Sequence, residues 1–466
     1  MSDEKIKNIL KIREDAAYFV LEQTARGAAF SLGECQIAPS WYPVDKIGGS
    51  QPSDLRGFVE PWLTSLFQSE HLSLLIGSGL STAVNYMATQ TSGNPMAVPM
   101  FDSEYADKIM NRAKVIAEKN GRGEPNIEDY IRVINELICG LEVLGHDIAT
   151  GEERNRYDQL LNNLKQIIGN FAEDISEVEY SIATAREEQR KEAFDYLVNF
   201  LMSFASRTGT RERLNLFTTN YDRVIEAGAE IAGLHLLDRF VGTLAPIFRS
   251  SRLDIDMHYN PPGIRGEPRY LEGVARFTKL HGSIDWINTG EHIRRIGLPF
   301  GSRDMPSLLN APGLEDADSR RIMIYPNAAK DKETTEYPYV ELFRDFAAAI
   351  CRPNSTLVTY GYGFGDDHIN RVIRDMLTIP STHLVIISYG GAGGRIKEKY
   401  KEFGRPSQIS LIIGSGLADL KILVDYFLPK PSIDRASIRM SELLKQRYSA
   451  PKEDVSKVVD GGSTIE

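Results

Sequence analysis

The sequence predicts an α/β protein built on a mostly parallel sheet, with a helical module inserted into it. Three observations lead to this prediction. A short apolar run at residues 72–76 ends in glycines, residues 102–210 show helical spacing almost throughout, and short apolar runs alternate with amphipathic helices from residue 213 onward. Such alternation is typical of a parallel sheet that is covered by helices on both faces.

The composition limits the class of protein. The chain has 466 residues, of which 42% are hydrophobic and 25% charged, so it can build two or three domains with ordinary cores. A net charge of −10 argues against direct nucleic-acid binding by this chain alone. The three cysteines lie far apart, which excludes a four-cysteine zinc site and suits a reducing compartment. The charged N-terminus has no signal-peptide core, and no apolar run is long enough to span a membrane. We therefore expect a cytoplasmic protein.

The pattern along the chain predicts three parts. Residues 1–60 form an N-terminal extension that begins with an amphipathic helix at 6–24 and serves as a packing arm or an oligomer contact. Residues 61–430 form the α/β domain, with a helical insertion at about 102–210. Residues 431–466 form a C-terminal helix and a polar tail.

Within the α/β domain, the expected elements alternate. The predicted strands are residues 72–76, 214–218, 277–280, 322–325, 356–360, 383–388 and 409–413. The predicted helices after the insertion are residues 222–231, 339–351, 368–377, 395–402 and 417–427. The Pro- and Gly-rich segment at 237–276 is expected to form a small lobe or a flap over the site.

The first strand leads into the turn Gly77-Ser78-Gly79, which is followed by Ser81. Glycines let a backbone approach a phosphate closely, and the start of the next helix offers N–H groups to an anion. This is how a Rossmann-like sheet binds a nucleotide. Thr82 replaces the third glycine of the dehydrogenase fingerprint, so a plain strand-to-helix turn is the alternative.

Three more segments that carry polar residues follow predicted strands. They are FTTNYD at 217–222, KLHGSIDW at 279–286 and YGYGFGDDHIN at 360–370. The carboxyl ends of parallel strands meet at one edge of a sheet, where such folds bind their ligands. We therefore expect the four segments to line one site.

In this order, GSGLS, TTNYD, KLHGS and GYGFGDDHIN resemble the nucleotide-binding core of sirtuins, and in particular the divergent bacterial sirtuin-like proteins of antiphage defence. The start of the helical module, PNIEDYI at 125–131, is also similar to that family. The resemblance covers roughly residues 72–426. It implies a sirtuin-like fold that binds NAD⁺ and cleaves its nicotinamide–ribose bond.

The resemblance also implies roles for single residues. Asn220 matches the catalytic asparagine, which holds the ribose hydroxyls or the attacking water, and His281 matches the catalytic histidine, which is a general base. Asp222 orients Asn220 or caps the following helix. The residues implied to contact the dinucleotide are Gly77, Ser78, Gly79, Ser81, Asp222, Gly361, Tyr362 and Gly363.

Two departures from the protein-deacylating sirtuins point to water as the acceptor. The chain lacks their four-cysteine zinc module, and it has Thr82-Ala83-Val84 where they carry an acidic, arginine-bearing segment. We therefore expect an NAD⁺ glycohydrolase that uses NAD as its substrate and has no metal. The alternatives are a sensor or scaffold that binds NAD or ADP-ribose without turnover, and an NAD-dependent deacylase.

An unregulated NAD⁺ glycohydrolase would kill its host, so the activity must be controlled. The family resemblance implies a high-order homo-oligomer and a separately encoded ATPase partner, for which a HerA-type hexameric translocase is our first candidate. The chain has no Walker-A motif of its own.

Each site residue also has a purely structural interpretation. Asn220 could act as a helix cap and His281 as an ordinary loop histidine, while Asp366 and Asp367 could cap the next helix. His368 could be a structural hydrogen-bonding residue.

Overall fold

The computed structural model describes most of the chain. The described residues are 5–13, 15, 17–33, 41, 49–93, 103–119, 123–206, 212–251, 255–259, 269–271, 273–289, 292–303, 337–390 and 394–430. Contacts define one unit of residues 1–429, which holds all of them except Lys430. The strand predicted at 322–325 and the helix and tail predicted at 431–466 lie outside the described residues.

The described strands, in chain order, are β1 (Ile6–Lys11), β2 (Phe19–Gln23), β3 (Ser31–Leu32), β4 (His71–Ile76), β5 (Leu214–Thr218), β6 (His235–Leu237), β7 (Phe240–Val241), β8 (Ile247–Phe248), β9 (His258–Tyr259), β10 (Arg269–Tyr270), β11 (Val274–Lys279), β12 (Trp286–Asn288), β13 (Ile293–Arg295), β14 (Ser355–Tyr360), β15 (His383–Ser388) and β16 (Ile409–Ile413).

The described helices are α1 (Pro52–Phe67), α2 (Ser78–Thr89), α3 (Ala106–Lys119), α4 (Ile127–Val143), α5 (Glu152–Ala183), α6 (Glu187–Ala205), α7 (Val224–Ala232), α8 (Tyr339–Ile350), α9 (Asp367–Met376) and α10 (Arg395–Phe403). A 3₁₀ turn at Pro406–Gln408 precedes β16, and a short helix, α11 (Leu420–Ile422), continues into a π-helical turn at Leu423–Phe427.

Ten strands of the described part form one sheet, in the order β3-β2-β1-β16-β15-β14-β4-β5-β11-β6. The strands from β16 to β6 in this order run parallel, whereas β1, β2 and β3 pair antiparallel. The predicted α/β fold with a mostly parallel, Rossmann-like sheet is confirmed. Within the parallel part, the first strand in the chain is β4, in the middle. The strands β5, β6 and β11 follow on one side of it, with β11 between β5 and β6, and the chain then returns to the other side of β4 through β14, β15 and β16. Such a reversal opens a crevice at the carboxyl ends of the strands.

Apolar side chains alternate between the two faces of the sheet. Leu74 and Ile76 of β4 belong to a cluster that includes side chains of α1, α2, α6 and α7. Leu75 points to the opposite cluster, which includes side chains of α8, α9 and α10. Because both faces are covered, β4 and its neighbours β5 and β14 are buried along nearly their whole length rather than at every second position.

The helices predicted within residues 102–210 are confirmed, with one change. Helices α3, α4 and α5 share a separate core, in which Ile131, Leu160 and Phe171 are buried. The fourth helix, α6, instead packs its Leu197 and Phe200 against the main sheet. The inserted chain therefore contributes one helix to the layer over the sheet, and residues 184–186 separate this helix from α5.

The helix predicted at residues 6–24 is wrong. This segment forms β1 and β2, and β1 pairs with β16 through Ile9 and Ile413. The apolar spacing of so short a segment suits a helix face as well as a strand buried on both sides. A partner more than 390 residues away decides between the two, since Lys11 donates hydrogen bonds to Pro406 O and Ile409 O.

The segment predicted as a lobe or flap forms short strands within its described parts. Strands β7 and β8 join β12 and β13 in a four-stranded sheet of order β12-β13-β8-β7, and β9 pairs with β10. Phe240, Phe248 and Trp286 pack together between these strands. None of the described helices combines the length and the apolar character needed to cross a membrane.

Candidate functional site

The four segments predicted to carry the chemistry lie at one edge of the sheet. They follow β4, β5, β11 and β14, which are neighbours in the order β14-β4-β5-β11 and run parallel. The segments at this edge are Gly77 with the first turn of α2 (residues 77–81) and the loops 219–223, 280–285 and 361–366. The reversal of strand order falls between β4 and β14, so the glycine turn and the loop after β14 flank the expected crevice.

The glycine turn is packed tightly against the loop after β14. Gly77 N donates to Tyr360 O at 3.0 Å, and Gly79 N donates to Gly361 O at 3.1 Å. A Cβ atom on Gly79 would lie 2.6 Å from Gly361 Cα, and Gly361 itself has a φ of +62°. These glycines therefore allow two backbones to touch. Since their N–H groups bind protein carbonyls, Ser78, which is exposed at the start of α2, is the more accessible of the predicted phosphate contacts.

Asn220 joins this turn to the loop after β5. It is 6% exposed, and its Nδ2 donates to Gly77 O and to Ser81 Oγ, both at 3.0 Å. Its own N–H binds Thr218 Oγ1 at 3.0 Å. With both amide hydrogens directed to the protein, the side chain offers its oxygen as an acceptor for a hydroxyl group or a water molecule.

The helix-cap alternative for Asn220 is wrong, because α7 begins later, at Val224. Asp222 does act as a cap, since its Oδ1 accepts a hydrogen bond from Val224 N at 3.1 Å. Of the two roles predicted for Asp222, capping is therefore the one for which the structure has a direct contact.

His281 is half-buried in the loop after β11 and faces two aromatic neighbours. Its ring centroid lies 6.3 Å from that of Tyr221, the residue after Asn220, and 5.7 Å from that of His368. Potential ligand atoms of His281, Asp366 and His368 all lie within 4.8 Å of one another. The sequence predicted no metal site: it placed the two segments that carry these residues at one edge of the sheet, but it did not show that their side chains come within 4.8 Å of one another.

The loop after β14 places its predicted contacts in different environments. Tyr362 is 3% exposed, and burial together with the nearby Asp366 carboxylate raises the pKa of its phenol well above the usual value. Gly363 is exposed, and its carbonyl accepts a hydrogen bond from Arg395 Nη1 at 3.2 Å. Phe364 is buried with a φ of 54°, and Asn370 Nδ2 binds its carbonyl at 3.0 Å. Gly363 is thus available to a ligand, whereas Tyr362 packs inside the loop.

A buried ion pair, which the sequence did not predict, ties the helical module to the Asn220 loop. Glu179 of α5 is fully buried, and Arg223 is 5% exposed. Glu179 Oε1 accepts from Arg223 N at 2.6 Å, and Glu179 Oε2 accepts from Arg223 Nε at 3.1 Å. Burial raises the pKa of Glu179, while the Arg223 charge acts in the opposite direction. Phe171 of α5 also packs edge-on against Tyr221, with ring centroids 5.7 Å apart.

A second charge pair joins buried Lys279 to half-buried Glu226, next to the loop of Asp222. Lys279 Nζ binds Glu226 Oε1 at 2.9 Å and also donates to the carbonyl oxygen of Asp222. Glu226 and Asp285 line a cavity of about 500 Å³ beside α7. Glu226 Oε2 is shielded from solvent without a hydrogen-bond partner among the described residues, and desolvation raises the pKa of this carboxyl to about 7.

Comparison with known proteins identifies the family resemblance of this part of the chain. A family model described as the SIR2-like domain matches residues 214–405. The match begins at β5 and includes the loops that carry Asn220, His281 and Gly361, while the glycine turn at 77–81 precedes it. A search of curated proteins finds no match. The match supports the assignment of residues 214–405 to a sirtuin-like family, and it fits a function that involves NAD in general.

Proposed function

We propose that this protein is an NAD⁺ glycohydrolase, which converts NAD⁺ and water into nicotinamide and ADP-ribose. The observation that carries the proposal is the position of Asn220, which the carbonyl of Gly77 and the hydroxyl of Ser81 hold at the point where β4 and β5 end. SIR2-like domains use NAD, and the match at residues 214–405 includes this asparagine and His281.

The chemistry needs few groups. The C1′–N bond of the nicotinamide riboside breaks, its electron pair goes to the nicotinamide nitrogen, and nicotinamide leaves as a neutral molecule without an acid. The amide oxygen of Asn220 accepts a hydrogen bond from a ribose hydroxyl or from the attacking water. The water oxygen bonds to C1′, and His281 takes the proton that it loses, since an imidazole titrates near neutral pH.

The residues of the glycine turn fit the dinucleotide in part. Ser78 stands at the N-terminus of α2, a helix of 12 residues, where a phosphate is stabilised by N–H groups and by the helix dipole. Gly77 and Gly79 act by allowing the loop after β14 to approach, and Gly363 offers an exposed backbone on the opposite side of the crevice. The chain's lack of a four-cysteine module favours water over an acyl-lysine acceptor.

The biological role in this proposal is that of an effector in antiphage defence. It rests on the resemblance of the four motifs to bacterial defence sirtuins. Control of the activity then falls to a high-order homo-oligomer, to a partner ATPase of the HerA type, or to the helical module. The Glu179–Arg223 pair supports the last of these, because it connects α5 to the residue next to Asp222.

The test is to measure nicotinamide and ADP-ribose released from NAD⁺ by the purified full-length protein, alone and with a co-expressed neighbouring ATPase. Asn220→Ala and His281→Ala are expected to lower the rate by about 100-fold or more, because each removes a group that acts on the reacting atoms. His258→Ala changes an exposed histidine of β9 and serves as the control.

Two outcomes contradict the proposal. Saturable NAD⁺ binding without nicotinamide release in either preparation would favour the sensor or scaffold. A full rate in Asn220→Ala would mean that the turnover comes from elsewhere in the protein or from a contaminant.

A further inference from the structure

We infer that His281, Asp366 and His368 form a binding site for a transition-metal dication of the Zn²⁺ type, and that the bound ion inhibits NAD⁺ hydrolysis. The second half of this inference rests on the proposed function, in which His281 is the general base. The first half concerns metal binding alone and stands on the geometry of the three side chains.

The three side chains come from two loops at the same edge of the sheet. His281 lies in the loop after β11, Asp366 is the N-cap residue of α9, and His368 is the second residue of that helix. Their potential ligand atoms lie within 4.8 Å of one another. A Zn²⁺ ion at about 2.0–2.2 Å from each ligand needs ligand atoms about 3–3.5 Å apart, so a small closure of the two loops is enough.

The ligands on α9 are held by packing before any ion arrives. His368 is 8% exposed, and its ring stands edge-on to Phe343 of α8 at a centroid distance of 4.6 Å. The loop before α9 is fixed by the bond from Asn370 Nδ2 to the carbonyl of buried Phe364. Because packing already fixes the side chain of His368, binding an ion there costs little further side-chain entropy.

The types of ligand select the class of ion. Two imidazole nitrogens and one carboxylate oxygen suit Zn²⁺ and neighbouring transition metals, whereas Mg²⁺ and Ca²⁺ prefer oxygen ligands alone. Three protein ligands leave a coordination position open for water. Asp366 is half-buried and contributes the one carboxylate of the three ligands.

A metal ion at this place competes with the proposed catalysis. The nitrogen of His281 that binds a metal uses the same lone pair that would take the proton from water. As long as the ion stays, His281 cannot act as a base. The site therefore provides a way of silencing an enzyme whose activity is harmful to the cell.

The binding test uses the full-length protein after treatment with a chelator. Zn²⁺ is titrated against a chromophoric chelator, and Co²⁺ is added in parallel to record the visible absorption of an ion in a nitrogen and oxygen environment. We expect one Zn²⁺ per chain and no competition from Mg²⁺. His368→Gln and Asp366→Asn should each weaken Zn²⁺ binding by at least 10-fold, because each removes a direct ligand.

His258→Gln serves as the control, since it removes an exposed histidine of β9 and should leave the stoichiometry and affinity unchanged. A thermal unfolding curve for each variant shows that it is folded, and the two ligand variants act as checks on each other. Absence of stoichiometric binding, or equal binding by the wild type and both ligand variants, would overturn the site.

The activity test compares nicotinamide release with and without added Zn²⁺. We expect Zn²⁺ to inhibit the wild-type protein and a chelator to restore its rate, while the rate of His368→Gln is the same with and without the ion. A higher rate in the presence of Zn²⁺ would overturn the inhibitory role. If no preparation releases nicotinamide, the proposed function fails and inhibition fails with it, while the titration still decides whether the metal site exists.

Discussion

At the scale of single residues, the hydrogen bonds of Asn220 determine which atom of its side-chain amide is available to a substrate. Its two side-chain N–H groups donate to Gly77 O and Ser81 Oγ. The amide oxygen is then the atom that can accept a hydrogen bond from a substrate hydroxyl or a water molecule. A different residue, Ser81, therefore controls the orientation of Asn220. In the sequence Ser81 was expected to contact the dinucleotide, and the structure adds this second role.

We expect Ser81→Ala to lower kcat for NAD⁺ hydrolysis by about 3–10-fold, with little change in KM, because the loss of one neutral hydrogen bond of about 1 kcal/mol loosens Asn220. Steady-state kinetics of nicotinamide release measure this. Thr82→Ala is the matched control, since Thr82 is the exposed neighbour and its hydroxyl donates to Ser78 O in its own helix. A large rise in KM with unchanged kcat would show that Ser81 serves the dinucleotide instead.

At the scale of elements, long-range contacts attach two segments to the core. The Glu179–Arg223 pair attaches α5 to the loop after β5, and the Lys11 contacts attach β1 to β16. Both involve buried charges, whose removal leaves an uncompensated partner and is therefore costly.

We expect Glu179→Gln to destabilise the protein by about 3–5 kcal/mol, because the Arg223 charge stays buried without its carboxylate. The midpoint of denaturant unfolding measures the change. Glu177→Gln provides the control on the same helix, since the Glu177–Arg303 pair is exposed and should cost less than about 1 kcal/mol. Equal losses of unfolding free energy in Glu179→Gln and Glu177→Gln would show that the buried pair stabilises the protein no more than the exposed pair does.

Lys11→Ala is expected to lower the free energy of unfolding by about 2–4 kcal/mol, because the carbonyl of Pro406 and the buried carbonyl of Ile409 lose a charged donor. Desolvation lowers the pKa of Lys11 to about 8, so the folded protein releases this proton at a lower pH than the unfolded chain does, and the loss of stability in Lys11→Ala should grow as the pH rises above about 8. Lys7→Ala, which changes an exposed lysine of the same strand, should leave stability nearly unchanged. An unchanged unfolding midpoint in Lys11→Ala would mean that β1 contributes little to the sheet.

At the scale of the whole molecule, the pH dependence of stability should report on buried titratable groups. Glu226 faces Lys279, Asp285 and Arg223, and desolvation raises the pKa of its carboxyl from 4.5 to about 7. A carboxyl with a raised folded-state pKa stabilises the folded protein below pH 4.5, and this contribution is lost as the pH rises through about 7.

Glu226→Gln should therefore remove part of the fall in stability between about pH 5 and pH 7, because the amide does not titrate. Unfolding midpoints across this range measure the slope. Glu230→Gln, one turn further along α7 and exposed, should keep the wild-type slope. Identical pH profiles of wild type and Glu226→Gln would show that Glu226 is ionised in the folded protein at all these pH values.

His383 acts in the opposite direction over an overlapping pH range. Burial lowers the pKa of this imidazole to about 4. A lowered folded-state pKa means that the unfolded chain takes up the proton first, so stability is expected to fall as the pH drops from about 6.5 towards 4. Between about pH 4.5 and pH 6.5, Glu226 is therefore expected to lower the free energy of unfolding as the pH rises, whereas His383 is expected to raise it.

Local sequence patterns determined most of the elements that build the site. Apolar runs closed by glycine or by polar residues predicted β4, β5, β14, β15 and β16, because a strand buried on both faces leaves a short, continuous apolar signal. The same patterns placed Gly77, Asn220, His281 and Gly361 at strand ends. Parallel strands then bring these ends to one edge, as the sheet order shows.

Only the tertiary structure decided which segments contact each other across long distances in the chain. The strand at residues 6–11 needs β16 as its partner, Glu179 needs Arg223, and the short distances among the side chains of His281, Asp366 and His368 depend on how their two segments pack. None of these pairs leaves a local periodicity or spacing in the sequence. Their formation depends on the burial of charge and on backbone hydrogen bonds that exist only after the sheet has assembled, which is why a local pattern could not predict them.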